Sequence, residues 1–133
     1  MTDYNQFNFP AFFAAESDLY LQGHNVVNPA RCDIEDGVIN ITATGELLKN
    51  SEYTDNMLIR MNIDEALRHN CDTAVFLPGW RSSVGARKEF VICAMLGYEL
   101  LEYNPALLLS DFSIFSPEKE LDNILLKVGT QKL

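Results

Sequence analysis

The sequence predicts an α/β domain with an open, mostly parallel sheet flanked by helices. Segments in which apolar residues recur at helical spacing alternate with short apolar runs, which is the rhythm of βαβ units. The clearest run, 73–77, is apolar at nearly every position and ends at Pro78-Gly79, as is typical of a strand buried on both faces of a parallel sheet. A length of 133 residues, 47 % of them apolar, predicts one domain over residues 1–133.

The first predicted helix covers 9–22. Aromatic and apolar side chains recur there at helical spacing, Pro10 stands in the first turn, and Gly23 is placed to end the helix. A short strand is predicted at 25–27, ended by Asn28-Pro29.

Residues 31–55 allow two interpretations. The apolar residues within 38–41 form either a short strand or part of an irregular insertion over the site. A second helix is predicted at 54–70, because helical spacing of apolar residues returns there and Thr54 is a suitable N-cap.

The second half of the chain continues the alternation. After the strand at 73–77, a helix is predicted at 83–96, ended by Gly97, and 98–103 is the next strand. One more strand is expected at 107–109 or 112–115, and then a C-terminal helix that opens at Ser116-Pro117-Glu118.

Charge and composition narrow the classes of partner. The net charge of −9 argues against nucleic acid, which requires clustered Lys and Arg, although a helix N-terminus can still hold a small anion. No apolar run approaches the ~18 residues of a membrane span, and the N-terminus lacks signal-peptide character, so no membrane contact is expected. Three cysteines without CxxC spacing indicate reduced thiols in a cytoplasmic protein. The acidic segment 33–37 lacks the later Glu of a calcium loop and is interpreted as a turn, so no metal site is predicted.

The segment 77–89 carries the strongest indication of function. It leaves a strand at its carboxyl end, turns through Gly79 and Gly85, and begins a helix. Backbone N–H groups at that helix start, with the hydroxyls of Ser82 and Ser83, can hold an anion or a hydroxyl group. No Gly-Lys-Ser/Thr follows, so the segment is not a P-loop. Many α/β proteins use glycine at such a turn only for backbone geometry, so the turn alone is weak evidence.

Three further side chains each have a functional and a structural interpretation. Glu89 lies two turns into the predicted helix among apolar neighbours, and is either a nucleophilic carboxylate or a solvated surface residue. Trp80 either stacks on a base or covers the core. Asp64, within the predicted helix 54–70, is either a functional carboxylate or a residue that simply faces solvent.

Several groups of residues form a recognisable pattern: Asn8-Phe9-Pro10-Ala11-Phe12, Gly23-His24 with Val26-Val27-Asn28-Pro29-Ala30, Cys71-Asp72, and Leu77-Pro78-Gly79-Trp80 with Ser83, Gly85-Ala86-Arg87 and Glu89. The pattern spans about residues 1–103, and 77–89 is its most specific part. It resembles a small domain of uncharacterised function that is common in bacteriophages. That domain is related to nucleoside 2-deoxyribosyltransferases and to nucleoside 5′-monophosphate N-glycosidases.

The resemblance implies a doubly wound, flavodoxin-like sheet and chemistry at the N-glycosidic bond of a (deoxy)nucleoside or its 5′-monophosphate. At the matching positions it implies that Glu89 is the nucleophile, that Asp64 is the second catalytic carboxylate, and that Ser83 contacts the sugar or phosphate. The two carboxylates would work as in retaining glycosidases, with no metal or cofactor. From the turn itself, Gly79, Trp80, Ser82 and Gly85 are the further predicted substrate-binding residues.

The resemblance also implies a first strand of the type Tyr-x-x-Gly-Pro-Met-Thr. This sequence starts at Met1-Thr2, inside that motif, so either the start was assigned too late or the protein lacks the strand. An exposed sheet edge or apolar surface favours self-association, and the related proteins complete their sites between subunits. We therefore expect a homodimer or larger homo-oligomer, in the host cytoplasm if the protein is encoded by a phage. Two other hypotheses are a nucleotide-binding protein without turnover and a structural or partner-binding protein that keeps only the fold.

Overall fold

The computed structural model describes residues 8–105, 107 and 108. These residues form two compact units, divided between Cys71 and Asp72. Each unit combines helices with a two-stranded sheet, which confirms the α/β class. In chain order the elements are α1 (Phe9–Leu21), α2 (Pro29–Glu35), β1 (Ile39–Ile41), β2 (Leu47–Lys49), α3 (Asp55–Arg68), β3 (Thr73–Phe76), a short 3₁₀ turn (Trp80–Ser82), α4 (Val84–Met95) and β4 (Glu99–Glu102).

Helix α1 confirms the first predicted helix. Pro10 lies in its first turn, where a backbone N–H would have no partner within the helix. The chain leaves the helix through Gln22 and Gly23, and the φ of 93° at Gly23 is one that side chains rarely adopt. Phe9, Ala15 and Leu19 are buried along the helix.

The predicted strand at 25–27 is wrong, because the structure places no strand there. Helix α2 begins directly at Pro29, and the Asn28 side chain caps it by accepting a hydrogen bond from the N–H of Ala30 at 3.0 Å. Residues 25–27 are therefore the approach to a helix that the sequence did not predict. The acidic segment 33–37 contains the end of α2 as well as the predicted turn, which falls at Asp36 and Gly37.

A polar network joins α1 to the start of α2. Glu16 accepts hydrogen bonds from Arg31 Nε at 2.9 Å and Nη2 at 3.0 Å, and from Asn28 Nδ2 at 2.9 Å. The hydrogen bond from Arg31 lowers the pKa of Glu16. The Arg31 guanidinium also lies 5.0 Å from the centre of the Phe13 ring. Two charged side chains and one buried amide thus fix the two helices to each other.

Strands β1 and β2 form an antiparallel hairpin, so the strand interpretation of residues 38–41 is confirmed. The register pairs Ile39 with Lys49 and Ile41 with Leu47. Val38 and Ile39 lie in a buried apolar cluster that joins this hairpin to α1, α2 and α3. The buried members of that cluster are Phe9, Ala30, Val38, Ile39 and Leu58.

Helix α3 confirms the helix predicted at 54–70. The Thr54 side chain accepts a hydrogen bond from the N–H of Met57 at 3.2 Å, as an N-cap does. Leu58, Ile59 and Asn62 are buried, and their spacing of three and four residues places them on one face of the helix.

The second unit is a βαβ element, as the alternation of the sequence predicts. Strands β3 and β4 are parallel, in a register that runs from Thr73 opposite Glu99 to Phe76 opposite Glu102. Helix α4 connects them, and Gly97 with a φ of 79° follows its end. Residues 107 and 108 are not in a strand, and the predicted elements at 112–115 and from Ser116 onward lie outside the described residues.

Aromatic rings form the core of the second unit. Trp80 is 4 % exposed and stacks on Phe90, with 4.8 Å between ring centres and 19° between planes. The Phe76 ring lies 5.1 Å from Trp80 and 5.6 Å from Phe90. One ring comes from the strand, one from the turn and one from the helix, so the cluster holds all three together.

Replacement of Trp80 by Ala removes the central ring of this cluster. We expect the free energy of unfolding to fall by about 3–5 kcal/mol, the usual range for loss of a buried aromatic side chain. The exposed Val84→Ala, in the same unit, is the control and should change it by less than about 0.5 kcal/mol. Urea unfolding followed by circular dichroism measures both, and equal effects would show that Trp80 does not hold the core.

Candidate functional site

The turn between β3 and α4 brings backbone N–H groups to the start of a helix. After Phe76 the chain turns at Gly79, whose φ of 86° favours glycine, and passes through the 3₁₀ turn. The N–H of Ser82 donates to the carbonyl of Gly79 at 3.1 Å, which tightens this turn. Extended backbone at Ser83 then leads into α4, so the predicted strand–glycine–helix geometry is present.

Ser83 is the N-cap of α4. Its Oγ accepts a hydrogen bond from the N–H of Ala86 at 3.2 Å. A hydroxyl group that accepts one hydrogen bond still carries a proton that it can donate. Capping of the helix and contact with a sugar or phosphate oxygen are therefore compatible roles for this side chain. Gly85, half-buried in the first turn of α4, and the exposed Ser82 flank it.

Of the two interpretations of Trp80, the structure shows the one in which the ring covers the core. At 4 % exposure the ring has no open surface on which a base could stack without displacing a neighbour. The Arg81 guanidinium lies 4.7 Å from the centre of the same ring. Contact between Trp80 and a substrate stays a prediction.

Two arginines add positive charge beside the turn, and the sequence analysis gave neither a role. Arg87 Nη1 donates to the backbone carbonyl of Arg81 at 2.8 Å, and Arg81 Nη1 lies 3.1 Å from Glu102 Oε1. Arg87 thus joins α4 to the 3₁₀ turn, and Arg81 joins that turn to β4. The signal was present in the sequence, since both residues stand within segment 77–89, which carries the strongest indication of function.

Glu89 is half-buried in the second turn of α4. It lies next to Phe90, which is fully buried, and one turn before the buried Cys93. This position is at the edge of the buried face of the helix, and it differs from that of a fully solvated carboxylate. Glu89 and Ser83 belong to one helix and its cap, six residues apart along the chain. The catalytic role of Glu89 stays a prediction.

Asp64 is exposed on α3, in the first unit. The next residue, Glu65, takes up the basic groups at the end of this helix: it bonds to Arg68 Nη2 and to His69 Nε2, the latter at 3.0 Å. The hydrogen bond from Arg68 lowers the pKa of Glu65. Since Glu89 belongs to the second unit, the pairing of Asp64 with Glu89 across one cleft stays a prediction.

Neither a metal cluster nor a membrane span is found in the part of the chain that the structure describes. No group of three or more His, Cys, Asp or Glu side chains there is placed to hold a metal ion. None of the helices there combines the length and the apolar character needed to cross a bilayer.

Comparison with known families adds one finding to this geometry. Comparison with curated proteins and with solved structures found no match. Residues 1–102 match a family described as a domain of unknown function, DUF4406, and the match covers both units up to the end of β4. Since this is well over half of the chain, the protein belongs to the DUF4406 family.

Proposed function

We propose that the protein acts on the N-glycosidic bond of a (deoxy)nucleoside or its 5′-monophosphate, with Glu89 as the nucleophile. The observation that carries the proposal is the position of Glu89, half-buried on the helix that Ser83 caps at the carboxyl end of β3. Ligands of open α/β sheets bind beyond the carboxyl ends of the strands. We extend this to the fold and propose that the β3–β4 pair is part of a doubly wound, flavodoxin-like sheet.

The reaction follows the chemistry of retaining glycosidases. The Glu89 carboxylate attacks the anomeric carbon, and the base leaves with the electron pair of the broken C–N bond. Asp64, as the second carboxylate, manages the proton that the leaving base takes up. Water or a second base then attacks the glycosyl ester, and Asp64 takes back a proton from that nucleophile. Attack by water gives hydrolysis, and attack by a second base gives transfer of the sugar.

The start of α4 supplies the groups that bind the substrate. The N–H groups of a helix N-terminus attract a phosphate, and Ser83 adds a hydroxyl proton. Arg87 places positive charge beside the same turn, whereas the charge of Arg81 is paired with Glu102. These groups favour the 5′-monophosphate over the nucleoside.

The second candidate function is nucleotide binding without turnover. It is favoured by one observation: the capped helix start and the two arginines belong to the second unit, whereas Asp64 lies in the first. A phosphate site needs only the helix start and the arginines of the second unit, and does not need Asp64. The two functions differ in whether base is released.

Glu89→Gln separates the two candidates. The amide keeps the shape of the side chain but cannot form the glycosyl ester, so release of base should fall by orders of magnitude while affinity for the monophosphate changes little. Chromatography of free base after incubation with a panel of deoxynucleosides and their monophosphates measures the rate. The control is Glu99→Gln, which changes an exposed Glu of the same unit and should leave the rate unaltered.

Two results would contradict the catalytic proposal. Release of base by Glu89→Gln at the wild-type rate would remove Glu89 from the mechanism. No release by the wild type, with binding of monophosphate retained, would leave the binding function. In that case a charge-assisted hydrogen bond of Glu89 to a sugar hydroxyl would be worth roughly 1.5–3 kcal/mol, or one to two decades in affinity.

Substitutions at Ser83 test the phosphate site. Asn and Asp both cap helices well, so Ser83→Asn and Ser83→Asp should stay folded, whereas Ser83→Ala should lose about 1 kcal/mol of stability. The added charge in Ser83→Asp should weaken binding of a monophosphate by at least ~10-fold and leave nucleoside binding close to that of Ser83→Asn. Calorimetric titration measures both ligands. An equal loss for the two ligands would mean that no phosphate lies at this helix start.

We also propose that the protein forms at least a homodimer through α1. Tyr20 is 70 % and Leu21 is 84 % exposed at the end of this helix, and uncovered apolar side chains of this size are typical of contact surfaces. Light scattering at micromolar concentration should give at least twice the monomer mass. In Leu21→Glu the measured mass should fall to that of the monomer. Ala43→Glu, which adds the same charge at an exposed position in the turn of the β1–β2 hairpin, is the control. A monomeric wild type contradicts the proposal.

A further inference from the structure

Asp33 is a buried carboxyl group of the first unit that the proposed function does not use. It lies in the last turn of α2 and is 2 % exposed. Ala30, one turn earlier on the same helix, is fully buried. Asp33 Oδ2 is shielded from solvent and accepts no hydrogen bond from the described residues. A carboxyl oxygen in this setting favours the neutral acid, since an unpaired buried charge is far more costly.

Two charged side chains change the pKa of Asp33 in opposite directions. Burial, the largest cause, and the negative charge of Asp36 raise the pKa of Asp33 and Lys49 on β2 lowers it, so that the pKa is about 7. The positive charge of Lys49 is shared between Asp33 and Asp55, because Lys49 Nζ lies 2.6 Å from Asp55 Oδ1 at the start of α3.

Two carboxylates on the helices packed against α2 are engaged by other partners. On α1, Glu16 bonds to Arg31. On α3, Glu65 bonds to Arg68 and His69. Asp36 and Lys49 therefore remain as the charged groups that change the ionisation of Asp33.

The backbone of Asp33 ties α2 to β1. The N–H of Val38 donates to the Asp33 carbonyl at 2.9 Å, and Val38 and Ile39 are both buried in the apolar cluster. Movement of Asp33 towards water therefore breaks the link to β1 as well as the contacts of α2.

We propose that ionisation of Asp33 releases residues 29–41 from the core of the first unit, so that this segment is a pH-sensitive element of the fold. Neither Glu89 nor Ser83 takes part, so this release is independent of the proposed function. In the closed form, residues 29–41 are packed and Asp33 is neutral; in the open form, the segment is released and the Asp33 carboxylate lies in water.

The sign of the pH dependence follows from the two ionisation constants. The carboxyl of an open, solvated Asp titrates near 3.9, against about 7 in the closed form. The stabilisation of the closed form is complete below pH ~3.9, is lost progressively as the pH rises towards 7, and is absent above that. The same linkage gives an increase in the opening equilibrium of roughly tenfold between pH 6 and pH 8.

Hydrogen exchange of the wild-type protein at pH 6 and pH 8 tests the proposal. After correction for the intrinsic exchange rates, protection of the amides of Cys32, Asp36 and Val38 should fall about tenfold at pH 8. Amides within α3 should keep their protection and provide the internal reference. Equal protection of residues 29–41 at the two pH values would overturn the proposal, as would an equal fall throughout α3, which would indicate global unfolding.

Three variants assign the effect to Asp33. In Asp33→Asn the pH dependence should disappear. In Asp36→Asn the midpoint should move to lower pH, because a negative neighbour is removed. Glu35→Gln removes an exposed charge from the same helix and should behave as the wild type. If Asp33→Asn does not fold, Asp36→Asn decides: an unshifted midpoint in that variant overturns the assignment.

Discussion

Trp80 extends from the turn after β3 onto Phe90 in α4, and Phe76 at the end of β3 completes the cluster. These rings come from three consecutive parts of the βαβ element, so their packing sets the direction in which α4 leaves the strand. The cap at Ser83 and the half-buried position of Glu89 both depend on that direction. The candidate site is therefore held by an apolar contact that takes no part in its chemistry.

Helices with clear start and stop signals were predictable from the sequence. Thr54 and Ser83 are capping residues, and Gly23 and Gly97 end helices through positive φ values. Helix α2 was missed because its seven residues are too few to show helical periodicity. The Asn28-Pro29 pair at its start fits both the end of a strand and the start of a helix, and only the hydrogen bond that Asn28 accepts from Ala30 distinguishes them.

The candidate site was predictable in part. The turn, Ser83 and Glu89 could be placed because a strand, two glycines and a helix follow one another within a short segment. The place of Trp80 could not be inferred, because a tryptophan beside a glycine turn faces inwards or outwards according to how the neighbouring strand and helix pack, and that packing brings Phe76 and Phe90 against it. The relation of Asp64 to Glu89 is likewise a matter of tertiary structure, since the two lie on different helices.

Asn28 has consequences for how the sequence can vary. Its Oδ1 caps α2 while its Nδ2 donates to Glu16, which also binds Arg31. Asp, Ser and Thr can cap a helix as Asn does, but Asp has no proton to donate when ionised and would face the Glu16 carboxylate as a like charge. Asn28 thus serves its neighbour on α1 as well as its own helix. Glu16 is the shared partner, so an exchange of Glu16 would remove a hydrogen-bond acceptor from both Asn28 and Arg31.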